Sequence, residues 1–217
     1  MNTLTMDYGA PWWLPGGNLQ TIWAALRGQT YDAVVPTFRR ERWHTPDQDF
    51  VDVDWLVDDQ APGMATRPLL IVFHGLEGSS SSHYAQAFAD VARSRGWACA
   101  VPHFRGCSGE LNLAPRAYHS GDFAEIDWML RRFRAAHAGP LLAVGVSLGG
   151  NALMRWAGEM QSSATDLVQG VASVCSPLDL AASGHAIGQG FNRLVYTRMF
   201  LQSMRPKALQ KLAQYPG

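Results

Sequence analysis

The sequence of 217 residues is poor in cysteine, in lysine and in net charge. Its three cysteines, Cys99, Cys107 and Cys175, show no C-x-x-C spacing, which argues against a disulfide framework and a zinc site. Eighteen basic residues balance eighteen acidic ones, so the charge indicates neither a nucleic-acid partner nor an anionic membrane. No apolar run has the length of a membrane span, and the first residues lack a signal-peptide pattern. We therefore expect a cytoplasmic protein without stable membrane insertion, metal or cofactor.

The most informative stretch is Leu141–Met160, which predicts a strand, a sharp turn and a helix. The apolar run 141–144 is too short for a helix and follows a Gly-Pro pair, so it predicts a buried strand. A G-x-S-x-G match centred on Ser147 comes next, and a helical apolar face follows it. This order is typical of a nucleophile elbow, in which a strained turn holds the serine hydroxyl above the sheet. The alternative is a glycine-rich turn whose serine only caps the helix.

Strands and helices alternate along the chain. The segments Thr37–His44 and Phe50–Val57 predict an antiparallel hairpin, with Asp52 and Asp54 on its solvated face. Strand–helix units follow three times, and a further strand at Gly170–Cys175 precedes helical segments. This order predicts an α/β fold with a doubly wound, mostly parallel sheet and an N-terminal antiparallel hairpin.

Four polar residues follow predicted strands directly, namely His74, Arg105, Ser147 and Asp179. Open α/β sheets bind their ligands beyond the carboxyl ends of the strands, so we expect a site at this edge.

Attack by a serine requires a base for its proton and donors for the oxyanion of the tetrahedral intermediate. We assign the donor role to the backbone N–H groups of Leu148 and Leu76, which follow the serine and Gly75 respectively. His74 is open to two interpretations, as the base or as a brace of its loop, and its place before the glycine favours the brace.

Several collinear segments resemble one family. The segments PWWLPGGNLQTIW, HGLEGSSSSHYA, HFRGCSGELN, YHSGD and GVSLGGNALMRW together resemble the YheT-like branch of the α/β-hydrolases. The resemblance implies a serine hydrolase that acts on small-molecule acyl or lipid esters, with Ser147 as nucleophile and an oxyanion loop at Gly75-Leu76. It also implies a helical cap after the strand that ends near Cys175. We therefore divide the chain into an N-terminal arm (1–36), an α/β-hydrolase core (37–180) and the start of a cap (181–217).

The resemblance further implies an acid and a histidine downstream of the cap, on two last strands that this sequence lacks. In α/β-hydrolases the triad runs in the order serine, acid, histidine. His185 is the one histidine after Ser147, and Asp179 is a candidate acid whose simpler role is to cap a helix. We expect an incomplete core with little or no activity. Two other functions stay open: a non-catalytic module that binds a lipid or a partner, and an acyltransferase.

Overall fold

The computed structural model describes residues 8–27, 34–57 and 66–216, which contain one six-stranded sheet with helices around it. The strands are β1 (Phe38–His44), β2 (Phe50–Leu56), β3 (Leu69–Phe73), β4 (Ala98–Pro102), β5 (Leu141–Val146) and β6 (Gly170–Val174). The helices are α1 (Gly16–Arg27), α2 (His83–Ser94), α3 (Phe123–Ala136), α4 (Leu148–Met160), α5 (Leu180–Ile187), α6 (Gly190–Asn192) and α7 (Arg198–Gln214). A π-helical turn, Arg193–Thr197, joins α6 to α7.

The sheet order is β1-β2-β4-β3-β5-β6. The hairpin β1–β2 is antiparallel and β2 also pairs antiparallel with β4, whereas β4, β3, β5 and β6 run parallel. The mostly parallel sheet with its antiparallel hairpin is therefore confirmed. Phe73 pairs with Gly145, so the loops that follow β3 and β5 leave the sheet side by side.

The core has two apolar layers, because successive strand side chains point to opposite faces of the sheet. Ile71 and Phe73 pack with Phe133 and Trp156 of α3 and α4 on one face. Val72 packs with the alanines of α2 on the other face. None of the described helices is long and apolar enough to cross a membrane.

The expectation that Asp52 and Asp54 are solvated is wrong. Both carboxylates are buried, because β2 lies inside the sheet between β1 and β4, and the loop after β4 covers them. Arg42 donates two hydrogen bonds to Asp52, at 2.8 and 2.9 Å. Asp54 accepts hydrogen bonds from Arg40, His103 and Ser80. Burial opposes the charge of Asp54, but these hydrogen bonds outweigh it and hold its pKa below the usual range.

Arg105 ties the loop after β4 to the turn of the hairpin and to α3. Its Nη1 lies 2.7 Å from Asp49 and 2.8 Å from Asp47, and its Nε lies 2.5 Å from Glu125. Burial disfavours the charge of Asp49, yet hydrogen bonds from Asn112 and backbone N–H groups lower its pKa to about 2. A buried cation held by three carboxylates has a structural role, so Arg105 fixes the loop rather than reacts.

We expect Arg105→Met to lower the free energy of unfolding by about 3–5 kcal/mol, because it leaves Asp49 and Glu125 buried without their cation. Urea denaturation followed by tryptophan fluorescence measures this change. Arg155→Met is the matched control, since Arg155 pairs with Glu159 on the exposed side of α4. Exposed pairs contribute under about 1 kcal/mol. Equal losses in the two variants would contradict the assignment.

Candidate active site

Ser147 occupies a sharp turn between β5 and α4, as the sequence motif predicts. Its backbone has φ 53° and ψ −119°, a conformation that residues other than glycine rarely adopt. Its N–H donates to Val174 O at 2.8 Å, which fixes the turn to the end of β6, and its carbonyl accepts from Asn151 N at 3.1 Å. The side chain is half-buried. The strand–turn–helix context of the motif is therefore confirmed.

The glycines around the turn are needed because two backbones touch there. A Cβ on Gly149 would lie 2.4 Å from His74 O and 2.5 Å from Phe73 O. A Cβ on Gly145 would lie 2.5 Å from Gly149 O. Real Cβ atoms essentially never approach backbone atoms so closely. The glycines of the G-x-S-x-G pattern are thus required because the turn at Ser147 packs directly against the backbone at the end of β3.

The loop after β3 lies directly against the serine. An ideal Cβ on Gly75 would be 3.2 Å from Ser147 Cβ, and Gly75 begins a turn closed by Gly78 N–H donating to Gly75 O at 2.9 Å. Tyr84 OH accepts from Gly75 N at 2.9 Å, and Tyr118 OH accepts from Glu77 N at 2.8 Å.

Leu76 is the exception in this turn. Its neighbours Gly75, Glu77 and Gly78 all donate their N–H groups, but Leu76 N–H has no hydrogen-bond partner among the described residues. This free donor sits next to the glycine that abuts Ser147.

A chain of polar contacts holds the turn from outside. Glu77 has a positive φ of 56°, where a residue with a side chain is strained. Tyr118 OH accepts from Glu77 N and donates to Glu77 Oε1 at 2.9 Å, and Lys207 Nζ of α7 donates to Glu77 Oε2 at 2.7 Å. The loop beside Ser147 is therefore attached to α7 through one carboxylate.

His74 braces its loop. Its ring is buried, Nδ1–H donates to Gly75 O at 2.8 Å, and Nε2 accepts from Phe104 N at 3.0 Å. Both ring nitrogens are thus occupied in the neutral form. Burial lowers the pKa of His74 to about 3. A neutral ring with no free nitrogen is suited to support and not to proton transfer.

Asp179 and His185, the candidate acid and base, make hydrogen bonds only within their own segment and not with Ser147. Asp179 caps α5 and accepts from Ala182 N at 2.9 Å, while His185 Nε2 accepts from Gln189 Nε2 at 2.8 Å on the surface. Both side chains are exposed. Across residues 8–27, 34–57 and 66–216, which include all seven histidines, no histidine is hydrogen-bonded to Ser147.

Sequence reasoning missed the residues that hold the loop, namely Tyr84, Tyr118 and Lys207. Tyr84 is the second residue of α2. Tyr118 is 41 residues from Glu77 and Lys207 is 130 residues from it. A usable signal existed for Tyr118, because it opens the YHSGD segment.

Comparison with known proteins agrees with this geometry. The sequence profile described as "alpha/beta hydrolase fold" matches residues 68–201. The chain belongs to the α/β-hydrolase family. It is 44% identical over 181 residues to the protein named "Putative esterase YheT" of Escherichia coli strain K12, a match that covers 82% of this chain and 51% of YheT. This similarity confirms the YheT-like branch expected from the motifs.

More distant relatives share the fold. The human protein named "Phospholipase ABHD3" is 29% identical over 153 residues, which cover 65% of this chain and 37% of that protein. The structure of mouse alpha/beta hydrolase domain-containing protein 10 superposes with a TM-score of 0.52 at 17% identity, over 68% of this chain and 54% of that one. The chain spans about half the length of YheT and less of ABHD3.

We expect Gly149→Ala to lower the free energy of unfolding by about 3 kcal/mol, because its Cβ meets fixed carbonyl groups of Phe73 and His74. Gly158→Ala is the matched control on the same helix, where a Cβ meets nothing within 4 Å. Alanine there should stabilise α4 by up to about 1 kcal/mol. Thermal and urea unfolding measure the stability of both variants. An unchanged free energy of unfolding in Gly149→Ala would show that the backbones of α4 and of the end of β3 do not touch.

The depressed pKa of His74 predicts a loss of stability in mild acid. Its pKa is about 3 in the folded chain against 6.5 for an ordinary histidine, so the unfolded chain binds the proton first. The free energy of unfolding should therefore fall as pH drops below about 6.5, by at most about 1.4 kcal/mol per pH unit.

His74→Gln keeps an amide oxygen for Phe104 N–H but does not titrate. Urea unfolding of both proteins between about pH 6.5 and pH 4.5 isolates the difference in slope, since most carboxylates titrate lower. Parallel pH profiles would contradict a neutral, buried His74.

Proposed function

We propose that this chain carries the nucleophile and oxyanion hole of a serine hydrolase for carboxylic esters, acyl or lipid, working through an acyl-enzyme on Ser147. The observation that carries the proposal is the positive φ of Ser147 at the strand-to-helix turn. Such a conformation costs of the order of 1–3 kcal/mol and persists where the surroundings enforce it. The elbow presents the hydroxyl at the carboxyl edge of the sheet, where α/β proteins bind ligands.

Two backbone donors support an oxyanion hole beside the serine. Leu148 is the first residue of α4, so its N–H has no partner within the helix. Leu76 N–H is the unoccupied donor of the turn that abuts Ser147. A tetrahedral intermediate on Ser147 would place its oxygen near both groups, and the helix N-terminus favours negative charge there.

The reaction needs a proton acceptor besides these parts. As Ser147 Oγ bonds to the ester carbonyl carbon, its proton must pass to a base; the alcohol then leaves with a proton, and water later takes the acyl group. No described histidine is hydrogen-bonded to Ser147, so we propose that this polypeptide by itself turns over slowly. Loss of the base in a serine hydrolase lowers kcat by about 10⁶-fold.

The names of the relatives favour esters as the substrate class. YheT is named a putative esterase and ABHD3 a phospholipase, and both names describe cleavage of ester bonds. The half-exposed hydroxyl and the free N–H groups would suit acyl transfer to another alcohol equally. The proposal therefore specifies an acyl-enzyme on Ser147, and experiment must show whether water or another alcohol accepts the acyl group.

Hydrolysis of p-nitrophenyl butyrate with and without added imidazole tests the proposal. Without imidazole we expect a rate close to that of Ser147→Ala, because no histidine of the described residues is hydrogen-bonded to Ser147. With imidazole as an external base we expect the chain to exceed Ser147→Ala severalfold, since nucleophile and oxyanion donors are already in place. Subtracting the Ser147→Ala rate removes the esterolysis by imidazole itself.

Equal acceleration of the chain and of Ser147→Ala would contradict the proposal, because it would show that Ser147 is no nucleophile. Ordinary Ser147-dependent turnover without imidazole would contradict only the proposed slow turnover, because it would show that a base is present. A fluorophosphonate that labels Ser147 only with imidazole would support the enzyme, and no labelling at all would favour the non-catalytic binding module.

A further inference from the structure

A cavity of about 530 Å³ lies between α7 and the loop that follows β4. Its walls are mostly apolar side chains, among them Leu111, Pro115, Met204, Ala208 and Leu212. It begins at Leu76, in the turn beside Ser147, but Ser147 itself does not line it. The volume is within the range of about 300–1,000 Å³ that small-molecule sites occupy.

Three polar contacts hold α7 over this cavity. Lys207 and Lys211, one helical turn apart, are less exposed than their neighbours on α7. Lys207 pairs with Glu77, Lys211 donates to Asn112 O, and Tyr215 OH donates to Leu113 O. The cavity therefore has a basic wall on the α7 side.

The charges that line the cavity are unbalanced. Four cations and one carboxylate lie in its walls: Arg105, Arg116, Lys207, Lys211 and Glu77. Arg105 is paired with its three acids, Arg116 with Asp122, and Lys207 with Glu77.

Lys211 differs from the other three cations. Among the described residues it has no carboxylate within ion-pair distance, and its hydrogen bonds go to Asn112 O and to Gln214 Oε1. An ammonium has three donors, so one is left for a ligand. Burial lowers the pKa of Lys211; the Asp49 carboxylate acts in the opposite direction, and the Arg105 guanidinium lowers the pKa further. A charge in this position would be stabilised by an anion.

We propose that the cavity binds a single-chain amphiphile with an anionic head, a carboxylate or a phosphate, which pairs with Lys211 while its alkyl chain lies on the apolar wall toward Leu76. A neutral chain would leave the ammonium unpaired, and a cationic one would oppose it. From Lys211 back to Met204 the helix rises by roughly 10 Å, which is room for an extended alkyl chain of medium length. The inference concerns binding alone and does not depend on Ser147 being a nucleophile.

Isothermal titration with decanoate, decyl phosphate, decanol, decyltrimethylammonium and inorganic phosphate tests this site. We expect the two anionic amphiphiles to bind at least tenfold more tightly than decanol or the cationic amphiphile. Lys211→Met should weaken binding of decanoate by about tenfold or more, the effect of one charge-assisted hydrogen bond, and leave decanol unchanged. Arg205→Met is the matched control, because Arg205 is exposed on α7 and lies outside the cavity.

A second variant tests the chain end of the site. Ala208 lines the cavity but is itself exposed, so Ala208→Trp should fill the space without disturbing the fold and abolish binding of both anionic amphiphiles. Circular dichroism and thermal unfolding confirm that each variant is folded.

Each of several results would overturn the proposal. With the unmodified protein, these results are equal affinity for decanoate and decanol, inorganic phosphate that binds as tightly as decyl phosphate, or no binding of any anionic amphiphile. With the variants, the result is an unaltered affinity for decanoate in folded Lys211→Met or Ala208→Trp. A preference between decanoate and decyl phosphate identifies the head group. Failure of ester hydrolysis with normal amphiphile binding would contradict only the proposed function, and the reverse pattern would contradict only this site.

Discussion

The close passage of two backbones, the end of β3 under the start of α4, is the constraint on which the site depends. Gly149 lies against the carbonyl groups of Phe73 and His74, and Gly75 lies against Ser147. Parallel pairing of β3 with β5 brings these segments together, and only glycine allows contact at such distances. Interior packing fixes the two strands, so strain at Ser147 is enforced by the whole sheet and not by the turn alone.

Given that contact, side chains from distant segments decide which donors stay free. Tyr84 and Tyr118 take the N–H groups on either side of Leu76, and Glu77 is held by Tyr118 and Lys207. Leu76 N–H is the donor of the turn that none of these side chains takes. Because Lys207 belongs to α7, displacement of that helix would also loosen the turn beside Ser147. The placement of the helix and the orientation of the donor are therefore coupled.

The parts of the site that the sequence predicted are local. Ser147 could be found because strand, glycine turn and helix are encoded within twenty neighbouring residues, and the sheet could be found from the alternation of apolar runs. Asp52 and Asp54 were misjudged because period-two alternation does not say whether a hairpin strand has a second neighbour. In the fold β4 pairs with β2 and its loop brings His103 and Ser108 onto the two carboxylates. Such pairings join residues about fifty apart, which no local pattern records.

The net charge of the chain is zero, but its charged side chains are unevenly distributed, and this distribution matters more for ligand binding than the net charge. The sequence has equal numbers of acidic and basic residues, yet three buried carboxylates of the hairpin, Asp49, Asp52 and Asp54, are paired with arginine, while the two lysines line the cavity from α7. An arginine guanidinium donates two parallel hydrogen bonds to one carboxylate, whereas a lysine ammonium that makes one or two hydrogen bonds still has a free donor. The buried carboxylates of the hairpin are therefore already paired, whereas Lys211 beside the cavity has no carboxylate within ion-pair distance among the described residues. A chain with no net charge can in this way favour anionic amphiphiles at short range without long-range attraction.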